Sequence, residues 1–84
     1  MSTIIIKKET NRFNEIEFAI YEELENDELL RIGGAGYELD EETGEVIEIG
    51  GYADQRYVHG RDIEELAASI EDKLYNIDYV SIEE

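Results

Sequence analysis

Tyr37-Glu38-Leu39-Asp40-Glu41-Glu42-Thr43-Gly44-Glu45-Val46-Ile47-Glu48-Ile49 is the stretch on which the fold turns. Two apolar runs flank a polar linker that contains a glycine, which is the pattern of a β-hairpin. Gly44 can take the positive φ that such a loop demands. A hairpin here makes sheet the framework of the chain, and its two arms set the reading on either side.

Toward the N-terminus, Leu29 to Leu39 reads as one arm, interrupted by Gly33, Gly34 and Gly36. Glycines inside a strand mark a bulge, a bend or a close approach of backbone. Glu25-Asn26-Asp27 ahead of it supplies turn residues. Residues 13–24 carry two periods at once. Ile16, Phe18 and Ile20 alternate with Glu15, Glu17 and Ala19 as in a half-buried strand, while Phe13, Ile16, Ile20 and Leu24 also fit one face of a helix. Phe18 tips the reading to strand, because a helix would leave it off the apolar stripe. Thr3 to Glu9 is β-branched and short, a first strand closed by the turn residues Thr10-Asn11-Arg12.

Toward the C-terminus, Gly50-Gly51 bends the second arm and Tyr52 to His59 continues it. Residues 62–75 have the spacing of a helix: Ile63, Leu66, Ala67, Ile70 and Leu74 share a face, with Glu64, Glu65, Glu71 and Asp72 away from it. Asp62 stands as N-cap with Glu65 three residues on, a capping-box pattern. Tyr79-Val80-Ser81-Ile82 reads as a short last strand before an acidic end. The predicted fold is α+β: a small antiparallel sheet of about four strands with one C-terminal helix packed on one face, in a single domain over residues 1–84.

Composition bounds the function. The 84 residues hold 23 Asp and Glu against 7 Lys and Arg, a formal net charge of −16. Lys7, Lys8 and Arg12 against Glu9 give residues 1–12 a net of +2, which leaves −18 for the rest. Patterned Ile, Leu, Val, Phe and Tyr argue for a folded chain rather than a disordered one. A domain this small buries a modest core, and a homodimer is one way to add to it. Cysteine is absent, which excludes disulfides, thiolate metal sites and cysteine nucleophiles. Ile4-Ile5-Ile6 followed by Lys7-Lys8 is the wrong order for a signal peptide and too short to span a bilayer, so a cytoplasmic location is expected.

Candidate chemistry is thin. Gly33-Gly34-Ala35-Gly36 lacks the Lys and the following helix of a phosphate loop. Asp40 to Glu45 lacks the ligand spacing of an EF-hand. His59 is the single histidine. Asp54 or Asp62 could orient it and Ser69 or Ser81 could react, but no flanking pattern resembles a nucleophile turn. The expectation is a non-enzymatic protein with no catalytic residue, metal or cofactor.

What remains is acid. Glu22, Glu23, Glu25, Asp27 and Glu28 form one block; Asp40, Glu41, Glu42 and Glu45 a second; Glu64, Glu65, Glu71 and Asp72 a third. Solubility accounts for a net charge of about −2 to −8 in a small domain. A charge of −16 repels itself and destabilises the compact state. Carboxylates two apart on a strand stand about 6.8 Å apart on one side, a row that imitates a line of phosphates. The six tyrosines offer apolar area and a hydroxyl together, which suits one or two of them to an interface.

On these three blocks, in a small cysteine-free domain, the chain resembles phage-encoded inhibitors that act as DNA mimics, most of all the anti-CRISPR proteins. The resemblance implies binding to the basic, nucleic-acid-binding surface of a protein such as a CRISPR–Cas effector, inside a bacterial host. It implies no direct contact with nucleic acid or membrane. Two other classes fit the same residues: an acidic accessory or antitoxin-like module, and a homo-oligomeric structural domain.

Overall fold

Strand alternation wins in residues 13–24. In the computed structural model, which describes residues 2–75 and 77–83, Phe18 and Ile20 are buried on one side of a strand, and no helix forms there. The elements are β1 (Ser2–Thr10), β2 (Ile16–Glu23), β3 (Leu29–Leu39), β4 (Val46–Ala53), β5 (Arg56–Gly60), α1 (Ile63–Lys73) and β6 (Ile77–Glu83), with a 3-10 turn at Glu25–Asp27. The fold is α+β as expected, and the helix packs on one face of the sheet.

The strand count and the pairing correct the expectation. Six strands, not four, form one sheet in the order β5-β4-β3-β2-β1-β6. The sheet is mixed, because β6 runs parallel to β1 while every other neighbouring pair is antiparallel. One extra strand is β5: Tyr52 and Ala53 do continue β4, but Arg56 to His59 do not. The chain reverses at Asp54-Gln55, whose φ values of 50° and 68° are both positive. Two consecutive positive φ angles make the two-residue turn that matches strand twist, and Asn-Gly is its usual sequence. Asp-Gln hides it. The second is β6, which contains the short last strand read at Tyr79–Ile82 but joins the sheet beside β1, from the other end of the chain. Glu84 lies outside the described residues.

α1 connects the two edge strands, so it crosses the sheet and seals one face. Leu66, Ala67 and Ile70 from the helix meet Ile4, Ile6, Phe18, Ile20, Ala35, Ile49, Ala53, Val58 and Val80 from the sheet. Leu66, Ile70, Ile6, Ile20 and Val58 are fully buried. Gly60 lets the helix approach: a Cβ there would run into the main chain of Leu66 and Glu65. Asp62 caps the helix by accepting from the Glu65 N–H at 2.9 Å. Glu65 does not complete the capping box. Its carboxylate reaches one residue further back, to the Arg61 N–H at 3.2 Å. The helix stops at Lys73 because Leu74 is already extended, with φ −101° and ψ 147°.

Three register shifts bend the sheet. They leave Ile32 in β3, Ile47 in β4 and Asp78 in β6 as extra residues opposite their partner strands. Such bulges increase twist and curl a sheet. The body measures 44 × 27 × 21 Å. Among the described residues no helix is long and apolar enough to cross a membrane.

Candidate partner-binding surface

No charged or polar side chain is buried among the described residues. The carboxylates therefore stand outside the core, and their placement follows the strand directions. Glu22, Glu23, Glu25, Asp27 and Glu28 sit where β2 passes to β3. Asp40, Glu41, Glu42 and Glu45 sit at the far end of β3, roughly 35 Å away at about 3.4 Å per residue. Glu64, Glu65, Glu71 and Asp72 are exposed on α1, on the helix-covered side. The fold does not gather the three blocks into one patch; it spreads them over both ends and one flank.

Three of these carboxylates are committed to structure. Asp40 Oδ1 accepts the N–H of Glu42 at 2.7 Å and of Thr43 at 3.0 Å, which holds its carboxyl below the usual range. Glu65 is held low by hydrogen bonds from the Arg61 side chain and then from its backbone, and it forms an ion pair with Arg61 at 3.2 Å. Glu22 Oε2 accepts the Ser2 hydroxyl at 2.7 Å. The other nominated carboxylates make no ion pair with a described residue.

Asp40 yields a pH test. Its folded pKa lies below its unfolded value, so its contribution is complete above the unfolded carboxylate pKa and is lost as pH falls through the folded one. Asp40→Ala should lower Tm modestly at pH 7, and the gap from the parent should narrow as pH falls below the ordinary aspartate range. Thermal melts across that range check it.

Sequence reasoning missed the other side of the sheet. On this open face, away from α1, register sets Glu9 opposite Glu17 and Glu38 opposite Glu48. Like charges directly opposite each other destabilise a sheet. Arg31 relieves Glu17 at 3.3 Å, and the Tyr21 hydroxyl donates to Glu9 at 3.0 Å. Desolvation and the Glu9 carboxylate push the Tyr21 phenol up. Across the sheet, the Tyr57 hydroxyl donates to Glu48 at 3.3 Å, and its pKa is raised by desolvation and by the charges of Glu38 and Glu48. Tyr52 packs edge-on against Tyr57, and His59 stacks on it at 5.3 Å.

Neither Asp54 nor Asp62 orients the His59 ring, and Ser69 meets only its backbone. The ring Nδ1 lies 3.3 Å from Glu48. Ser69 Oγ accepts from the His59 backbone N–H at 3.2 Å. Gly33-Gly34-Ala35-Gly36 lies within β3 and precedes no helix. Only the alternation of Glu38 with Leu39 and of Glu48 with Ile49 hinted at the open face. Pairing those two glutamates required the β3–β4 register, which a bulge shifts by one residue.

No family model matches this chain, and no curated protein or solved structure is similar to it at a significant level.

Proposed function

We propose that this protein is a non-enzymatic inhibitor that docks on a basic, nucleic-acid-binding surface of another protein, in the manner of a DNA mimic. A CRISPR–Cas effector in a bacterial cytoplasm is the target class the chain's resemblance favours. The observation that carries the reading is the outward, largely unpaired placement of the acid. The core needs none of it, and register sets two pairs of glutamates directly opposite each other on the open face.

Charge density supports it. A net charge of −16 along 44 Å is about one charge per 2.8 Å. Duplex DNA carries about one per 1.7 Å, and a single strand about one per 3.4 Å. The protein falls between them, so a groove that attracts nucleic acid by charge attracts this surface too.

The direct test is competition. A purified guide-loaded effector should lose its target DNA on adding about one equivalent of the protein. Its affinity for the protein should fall more than tenfold between about 50 and 200 mM salt. Tight binding that ignores salt and leaves DNA in place would sink the reading. Self-repulsion in the free protein gives a second expectation. Tm should rise by several degrees from about 10 to about 300 mM NaCl, as the Debye length shrinks below the spacing of the carboxylates. Melts in a salt series measure it.

A homo-oligomeric reading has one observation behind it. Phe13, Ile16, Leu39, Val46 and Ile47 are exposed near one end of the sheet. Sedimentation equilibrium in high salt, where repulsion is screened, distinguishes a dimer from a monomer.

A further inference from the structure

Glycines on the two faces of the sheet have different reasons for being there. On the helix-covered face, a Cβ at Gly33, Gly51 or Gly60 would collide with backbone. On the open face, Gly34, Gly36 and Gly50 are neighbours by register. A Cβ at Gly34 would press on the end of the Arg31 side chain at 2.9 Å and meet the Phe18 carbonyl at an ordinary 3.7 Å. At Gly50 it would meet the Glu38 carboxylate at 2.5 Å and the Tyr57 hydroxyl at 3.0 Å, again side-chain ends. At Gly36 it would meet nothing within 4 Å. None of these three has a positive φ. Glycine weakens a strand, and packing does not demand it here.

The result is an open groove of about 610 Å³ whose floor is bare backbone at Gly36, with Arg31 lying over Gly34, the ends of Glu38 and Tyr57 beside Gly50, and Glu17 and Arg31 among its walls. Arg31 shows what such a floor accepts. Its guanidinium lies over Gly34, its Nε donates to the Gly33 carbonyl at 3.2 Å, and its Nη2 lies 3.3 Å from the Glu17 carboxylate. One step along the strand, Gly36 stands opposite Glu17 on one side and Gly50 on the other, with Glu38 two residues on. A planar cation fits the flat floor and the carboxylates beside it.

We infer that the groove over Gly36, beside Arg31, is the docking site for an arginine side chain carried by an extended segment of the basic partner. The inference rests on the proposed function and names the part of the surface and the chemical group it takes. The occupant follows from charge complementarity and from the pose of Arg31.

The test uses a blocked peptide, acetyl-Gly-Arg-Gly-Arg-Gly-amide, and its lysine counterpart, titrated into ¹⁵N-labelled protein. The Gly34, Gly36 and Gly50 amides should show the largest shifts, with arginine binding several-fold tighter than lysine. Gly36→Tyr should weaken the groove response at least fivefold while leaving weaker shifts at residues 23–28. Gly36→Ala should keep or raise Tm, which separates filling the groove from failing to fold. Shifts confined to residues 23–28 and 41–45 would overturn the groove but leave a basic partner in place. So would equal binding of arginine and lysine, unchanged binding by Gly36→Tyr, or a large loss of Tm in Gly36→Ala. A dimer that Gly36→Tyr dissolves would assign the groove to a second copy instead. No shift anywhere, even at low salt, would count against the basic partner itself.

Discussion

Leu66→Ala should lower Tm by roughly 10–40 °C, the largest single-residue effect expected in this chain. Leu66 is fully buried in α1 and packs in the cluster that contains Ile6, Ile20, Ile49 and Val58. Truncating a buried leucine costs about 2.7–5.0 kcal/mol, depending on how far the site can collapse. Each kcal/mol lowers Tm by about 4–8 °C in a domain of this size. At about 0.05–0.15 kcal/mol per residue, total stability is on the order of 4–13 kcal/mol, so the variant loses a large part of it. The site has little room to relax, because Gly60 already brings sheet backbone against Leu66 and Glu65. Ile47→Ala is the control, since Ile47 is 58% exposed and should change stability by no more than about 0.5 kcal/mol. Denaturation followed by circular dichroism measures both. Equal effects at the two positions would mean that α1 does not seal the core.

Charge reversal should have the largest effect on binding, and the opposite effect on stability. Glu23, Glu25 and Glu28 replaced by lysine shift the net charge from −16 to −10. All three are exposed and make no ion pair with a described residue. Reduced repulsion should leave Tm unchanged or raise it. Affinity for a basic target should fall by a factor on the order of a hundred at low salt, since three attractions become three repulsions. Glu41, Glu42 and Glu45 provide the matching set at the opposite end of β3, with Asp40 spared because its carboxylate holds the hairpin loop. The two triples stand too far apart to touch the same basic side chain, so comparing them gives the orientation of the bound protein. Unchanged binding by both, measured by calorimetry, would remove the electrostatic basis at the two ends.

Much of the framework could be read from short stretches. Gly44 and the polar residues before it mark the β3–β4 hairpin, and the loop closes there with Gly44 at φ 74°. The spacing of Leu66, Ala67 and Ile70 marks the buried face of α1. Asp62 marks its N-cap. Phe18 chose strand over helix in a region where both periods were present. Asp54-Gln55 was unreadable because its side chains do not advertise the positive φ that tertiary pairing imposes on them.

The candidate site was less legible. Counting acids found the exposed blocks but could not show that Asp40, Glu65 and Glu22 are occupied by their own chain. Nor could it show that Glu38 meets Glu48 and Glu9 meets Glu17.

Periodicity, caps and loop glycines act over a few neighbouring residues, so they were present in the order of the amino acids. Which strand lies beside which, and therefore which face a residue shares with residues far along the chain, is decided only when the sheet closes. The parallel seat of β6 beside β1, and the parting of six glycines into three that backbone contact requires and three that it does not, belong to that second class. Both depend on long-range register, where a slip of a single residue sends every side chain to the other face.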